Sequence, residues 1–168
     1  LEGKLFNCAA LIHRGQLLGL VPKSTLPNNH ESDQKRHFAA ARDAIDDEIS
    51  LLGQRVPFGN KLIFEATDLK GFALHLSLGE ELFSAIPPST LAALAGATVL
   101  CNLSASSAGL GKRAETQLLC AAHSKNNIAA CLRSATGPGE SSTDLAWDNH
   151  ALIYEQGELL AESQRFSD

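Results

Sequence analysis

The chain has 168 residues, 44% of them hydrophobic and 20% charged, an ordinary globular composition with enough length to bury the core of one domain. Fourteen basic against nineteen acidic residues give a net charge of −5 with no lysine or arginine block and few aromatics, which argues against nucleic acid as a partner. The apolar runs stop well short of the roughly 20 residues that span a bilayer, and the opening residues lack a charged-then-apolar leader, so a cytoplasmic protein without a membrane partner is expected.

In chain order, residues 5–12 are apolar, His13-Arg14-Gly15-Gln16 has turn chemistry, and 17–21 are apolar again, which predicts a β-hairpin ended by Pro22. Residues 27–50 are polar, with an acidic stretch at 43–48, and read as a solvated excursion with at most a weak helix. A second hairpin is expected from 61–66 and 72–78, turning at Asp68-Leu69-Lys70-Gly71 and stopping at Gly79. Pro87-Pro88 before Ser89 as N-cap predicts a short helix over 90–94, closed by Gly96 and followed by a buried strand over 98–103.

Residues 112–125 carry Leu118, Leu119 and Ala122 at a spacing that shares one helical face, and 128–132 reads as another buried strand. A Gly-, Ser- and Thr-rich loop over 137–148 precedes a third hairpin, 151–154 and 158–161, turning at Glu155-Gln156-Gly157. Strands mixed with amphipathic and buried segments predict an α/β layered architecture, and no internal repeat is evident.

Cys8, Cys101, Cys120 and Cys131 have no metal-ligand spacing and mostly apolar neighbours, as reduced core cysteines do. The six histidines are scattered, so no metal site is expected. With no methionine and a start at Leu1, the chain reads as a piece of something longer.

Neither composition nor periodicity identifies a reaction, but several local strings do. Phe6-Asn7-Cys8-Ala9-Ala10, His13-Arg14-Gly15, Leu20-Val21-Pro22-Lys23-Ser24, Lys35-Arg36-His37-Phe38, Phe64-Glu65-Ala66-Thr67-Asp68-Leu69 and Asn102-Leu103-Ser104-Ala105-Ser106 stand in this order. The long string from Gly137-Pro138-Gly139-Glu140 through Ser141-Ser142-Thr143 to Asp144-Leu145-Ala146-Trp147-Asp148 follows them. Together they resemble the glutaminase domain, of the nitrilase (carbon-nitrogen hydrolase) superfamily, found in glutamine-dependent NAD synthetases. The resemblance covers nearly the whole chain.

It implies a nitrilase-like αββα sandwich, present in residues 1–168 as a partial domain lacking its N-terminal strands. It also implies a Glu-Lys-Cys triad releasing ammonia from glutamine, and an ATP-dependent synthetase domain, absent here, that amidates deamido-NAD. No cofactor belongs to the glutaminase part; ATP and deamido-NAD would bind the synthetase part, and no Ser-Gly-Gly-x-Asp-Ser string or P-loop occurs in this chain. The resemblance further implies the synthetase domain of the parent chain and further copies of the chain, as a homo-oligomer, as partners.

Carried over residue by residue, Lys23 matches the triad lysine, whereas the cysteine position reads Gly79 in Gly79-Glu80-Glu81-Leu82-Phe83. Glycine has no side chain with which to attack a carbonyl, and a sharp elbow is also where a tight turn wants one. The family's base glutamate sits in a Pro-Glu string that this chain does not contain, and Gln34 replaces a supporting glutamate. Glu80, Phe83, Ser104 and Ser106 fall at or beside positions that line the family's glutamine pocket, while Asn29 replaces a tyrosine there. Taken as ordinary residues, they are a first-turn helix acid, a core aromatic and two loop serines.

The expectation is therefore a glutaminase domain with weakened or lost glutamine binding and no hydrolysis. The alternative is a non-catalytic pseudo-glutaminase or decayed fragment acting, if at all, through assembly contacts. Cys101, near the end of the neighbouring expected strand, is displaced by a whole strand from the nucleophile position, more than the about 3–3.5 Å that attack allows.

Overall fold

The computed structural model describes residues 1, 3–29, 32–140 and 144–167, with backbone alone at 29 and 32. In chain order they form β1 (Cys8–His13), β2 (Gln16–Pro22), the two-residue β3 (Asn28–Asn29) and β4 (Ser32–Asp33), α1 (Gln34–His37), β5 (Glu48–Leu51) and β6 (Gln54–Pro57). There follow β7 (Phe64–Glu65), β8 (Ala73–Leu78), α2 (Pro88–Leu94), β9 (Val99–Ser104), α3 (Lys112–Asn127), β10 (Ala130–Ala135), β11 (Leu152–Glu155) and β12 (Glu158–Glu162). Short 3₁₀ turns occupy Ala41–Asp43 and Gly79–Phe83.

The main sheet has the order β12-β11-β10-β9-β8-β7, with β8, β9 and β10 parallel and the outer pairs antiparallel. Alternation in β9 and β10 buries Leu100, Asn102, Ser104, Cys131, Arg133 and Ala135 while Cys101, Leu103, Leu132 and Ser134 remain at least partly accessible. Helices α2 and α3 cover the first of these faces. Ala92, Ala97, Leu100 and Ala129 form one core cluster there, and Leu82, Cys120, Cys131, Leu152 and Tyr154 another.

The opposite face is covered at β8 by the β1–β2 hairpin, which turns through Arg14 and Gly15 at φ of 49° and 76°. Ala9 and Val21 pack there on Leu76 and Leu78, with Leu11, Phe64 and Cys101 at the edge. Gly19 is needed at this contact, because a Cβ would come within 2.8 Å of the Phe64 ring. The result is a layer of helices, a sheet, and a second β layer represented by the hairpin, the arrangement expected of a nitrilase-like domain.

Several expectations change in detail. Within the 27–50 excursion, Glu48–Leu51 pairs with Gln54–Pro57 around a Leu52-Gly53 turn, a hairpin that the four-residue alternation is too short to announce. The strand expected at 61–66 contracts to Phe64–Glu65, since only Phe64↔Leu74 and Glu65↔Ala73 pair. Pro87, not Ser89, caps α2; Ser89 is buried and bonds to His123 on α3. Helix α3 turns Thr116, Cys120 and Ser124 inward, which leaves Leu118 70% exposed and Ala122 on the solvent side. Ile128 is an exposed left-handed C-cap and not the start of β10. All four cysteines are free thiols.

Candidate functional site

Parallel α/β sheets present their sites beyond the carboxyl ends of the strands, where loops leave the sheet and backbone donors are exposed. Here β8 ends at Leu78, β9 at Ser104, and β2 delivers Lys23 to the same place. Gly79 makes the turn out of β8 with φ +57°, a left-handed conformation that glycine adopts freely. Asn102 Nδ2 steadies it, donating to Gly79 O at 3.1 Å and to Ser77 Oγ at 3.2 Å.

Lys23 is 3% exposed, and its Nζ donates to Glu80 Oε2 at 2.7 Å. A Cβ built on Gly79 would stand 2.7 Å from that same Nζ. The amine thus fills the space a side chain at 79 would need. Glu81, 2% exposed, locks the two segments together: Oε1 accepts from Ser24 N and from Thr25 N at 3.3 Å, and Oε2 accepts from Leu78 N at 2.8 Å. A buried carboxylate satisfied by three backbone donors is a rigid clamp between the β2 exit and the β8 elbow.

Beside this centre lies a cavity of about 420 Å³, whose walls include Glu80, Phe83, Ser104 and Ser106 together with Gln34, Ser107, Lys112, Glu115, Leu145 and Trp147. The four residues expected around a pocket are therefore brought to one cavity, with Lys23 and Gly79 reaching it through Glu80. Gln34 Oε1, buried at the cavity wall, has no partner among the described residues. Lys112 Nζ donates to Ser107 Oγ at 2.9 Å. The side chain of Asn29 and residues 141–143 lie outside the described residues.

Beneath Ser104, the buried Arg133 donates through Nη2 to Ser104 Oγ at 3.1 Å and through Nη1 to His150 O at 3.3 Å. His150 Nε2 meets Glu162 Oε1 at 2.8 Å, and Arg113 grips both Glu162 oxygens, its Nε at 2.9 Å and Nη2 at 3.0 Å. Bonds from Arg113 and His150 hold the Glu162 carboxyl down at about 2. This chain of contacts ties the last hairpin to the cavity. Sequence reasoning assigned no role to Glu81, Asn102 or Arg133; Asn102 within the expected buried strand 98–103, and Arg133 directly after the expected strand 128–132, were the available signals.

Cys101 stands opposite Leu76 in the β8–β9 register and packs in the cluster under the β1–β2 hairpin, whereas its neighbour Asn102 reaches the elbow. Burial pushes its thiol up to about 11, as it does for Cys8, so neither offers much thiolate at neutral pH. Among the described residues no cluster of His, Cys, Asp and Glu suits a metal ion, and no helix is long and apolar enough to cross a membrane.

No protein-family model matches the chain. A glutamine-dependent NAD(+) synthetase of Mycobacterium tuberculosis is 47% identical over 163 residues, which is 97% of this chain and 24% of the synthetase. The chain is homologous to a segment of glutamine-dependent NAD(+) synthetase. A solved glutamine-dependent NAD(+) synthetase from Cytophaga hutchinsonii superposes on this segment with a TM-score of 0.83 at 22% identity, over 99% of this chain and 26% of that one. An amidase of the nitrilase superfamily from Nesterenkonia does so with a TM-score of 0.69 at 16% identity, over 94% of this chain and 50% of its own.

The nitrilase-type fold is thus shared with both. The chain spans about a quarter of the length of the curated relatives it matches.

Proposed function

We propose that this segment derives from the glutaminase domain of a glutamine-dependent NAD synthetase and has lost hydrolysis. In the intact ancestor such a domain releases ammonia from glutamine for amidation of deamido-NAD by a synthetase domain. ATP and deamido-NAD belong to that second domain, and the glutaminase part needs no cofactor. The observation that carries the reading is Gly79 itself, a residue without a side chain at the turn out of β8, beside Lys23. Amide hydrolysis by this route needs a thiolate there, and glycine supplies none, while Lys23 pairs with Glu80.

Glutamine binding is weakened for the same reason, since the carboxylate suited to its ammonium group already holds Lys23. The test treats the natural polypeptide containing this segment with a glutamine-mimicking electrophile and maps adducts by peptide mass. A folded protein with no adduct and no ammonia release is expected; an adduct on any of its cysteines sinks the proposal.

A second reading is a cytoplasmic module that acts through assembly, either with the synthetase domain of its parent chain or with further copies of itself. It is favoured by Leu94, 82% exposed, and Leu118, 70% exposed, on the outer sides of α2 and α3. Sedimentation equilibrium decides it: a monomer at all concentrations removes the self-assembly part of this reading.

A further inference from the structure

The described residues place a full positive charge under the cavity with no carboxylate bonded to it. Arg133 is 4% exposed, its Nη groups go to Ser104 Oγ and His150 O, and its Nε has no partner. Asp148, the carboxylate whose charge it feels, spends Oδ1 on His150 N at 3.2 Å and Oδ2 on Arg165 Nε at 2.9 Å. Burial lowers the guanidinium pKa, yet arginine stays charged in proteins.

The direction of the Arg133–Ser104 bond carries the consequence. Arginine has only donors, so Nη2 occupies a lone pair of Ser104 Oγ and leaves the serine proton to be donated elsewhere. No described residue accepts it, and Ser104 stands in the cavity wall. Register makes the arrangement stiff: Arg133 pairs with Asn102 and Ala135 with Ser104 in the parallel β9–β10 ladder.

We infer that Arg133 is a positioning residue that fixes Ser104 as a hydrogen-bond donor and selects a carboxylate oxygen of the ligand at that wall. The inference rests on the reading of the cavity as a ligand site. It does not depend on glutamine being the ligand. A carboxylate at Ser104 meets a charge-backed hydroxyl and offsets an otherwise unpaired buried cation; a neutral amide meets the same hydroxyl without the second gain.

The experiment titrates the natural polypeptide containing this segment with butyrate and with butyramide by calorimetry, in the parent and in Arg133→Met, Arg133→Lys and Ser104→Ala. Butyrate binding is expected to weaken about tenfold or more in Arg133→Met, the scale of one charge-assisted hydrogen bond, with partial rescue in Arg133→Lys. Butyramide binding is expected to change little. In the double variant Arg133→Met/Ser104→Ala the losses should overlap and not add. Should Arg133→Met fail to fold, Ser104→Ala with Arg133→Lys still reads the preference between the two probes.

Equal losses for both probes, additive losses, or no butyrate binding in the parent overturns the inference. L-Glutamine is titrated alongside: its failure to bind while butyrate binds at Ser104 sinks the glutamine reading and leaves the role of Arg133 standing.

Discussion

Lys23 Nζ and Glu80 Oε2 meet at 2.7 Å across the mouth of the β8 elbow, the lysine buried and the glutamate side chain 44% exposed. The pair joins a residue that follows β2 to one that follows β8, so it is a tertiary contact in which a buried ammonium relies on one partly solvated carboxylate. Glu80→Gln keeps the shape and removes the charge. It should destabilise the fold by about 1–2 kcal/mol, below the range for a fully buried pair because water reaches Glu80. Urea unfolding of the two proteins reads this directly, and an unchanged midpoint would show that solvent alone satisfies Lys23.

Gly79→Cys restores a thiol but not an enzyme. The new Cβ meets Lys23 Nζ at 2.7 Å and must be carried at φ +57°, which costs a non-glycine residue about 1–2 kcal/mol before Lys23 moves. The variant should be less stable than the parent and release no ammonia from glutamine. Ammonia release above the parent background would mean that Lys23 yields the space easily.

Gly19→Ala probes the second β layer. The added methyl would lie 2.8 Å from two Phe64 ring carbons and 3.1 Å from Leu62 Cδ1, against a ring wedged beside β8. A loss of about 1–3 kcal/mol is expected from overpacking, read as a lower thermal midpoint. A Phe64→Leu background should recover part of it.

Burial pushes the imidazoles of His75 and His123 below their ordinary 6.5, the first bonded through Nδ1 to Leu62 O and the second set between Ser89 and Asn127. Below 6.5 the unfolded chain therefore binds protons that the folded chain resists. Stability contributed by the neutral rings is complete above that value and declines as pH falls beneath it. Thermal unfolding between pH 7.5 and pH 5 should show this decline, reduced in His123→Gln; a flat profile argues that both rings protonate as freely folded as unfolded.

Glu162 works in the opposite range. Its carboxyl lies at about 2 in the folded protein against an ordinary 4.5, so its contribution is present above 4.5 and lost as pH falls through 2. Glu162→Gln should therefore flatten the acid limb in that window and lower the midpoint at neutral pH by a modest amount, since Arg113 is largely solvated. An acid limb identical to the parent's would show that Arg113 and His150 hold no more than the surface average.

Hairpins were legible wherever turn chemistry sat between apolar runs. Arg14-Gly15 and Gln156-Gly157 adopt the left-handed turn angles that their positions imply. The β5–β6 hairpin escaped notice because of its four-residue strands only Val56 is fully buried, too little alternation for a period of two to emerge. Helix α3 was legible as a helix but not in its orientation, because its inward stripe is Thr116, Cys120 and Ser124 and not its leucines.

The lysine and glycine of the elbow, and the cavity residues Glu80, Phe83, Ser104 and Ser106, could be named because the strings that hold them resemble those of the glutaminase family, and not from strand or turn signals. What the sequence by itself determined is the order of the first hairpin, the main-sheet strands and helices α2 and α3, the missing side chain at Gly79 and the kinship of the segment. Only the tertiary structure decided that Lys23 pairs with Glu80, that Glu81 clamps the elbow to Ser24 and Thr25, and that Arg133 backs Ser104. Those contacts join residues 29 to 57 positions apart, across strands whose register is set by the packing of the whole sheet, and no local propensity encodes a pairing made at that distance.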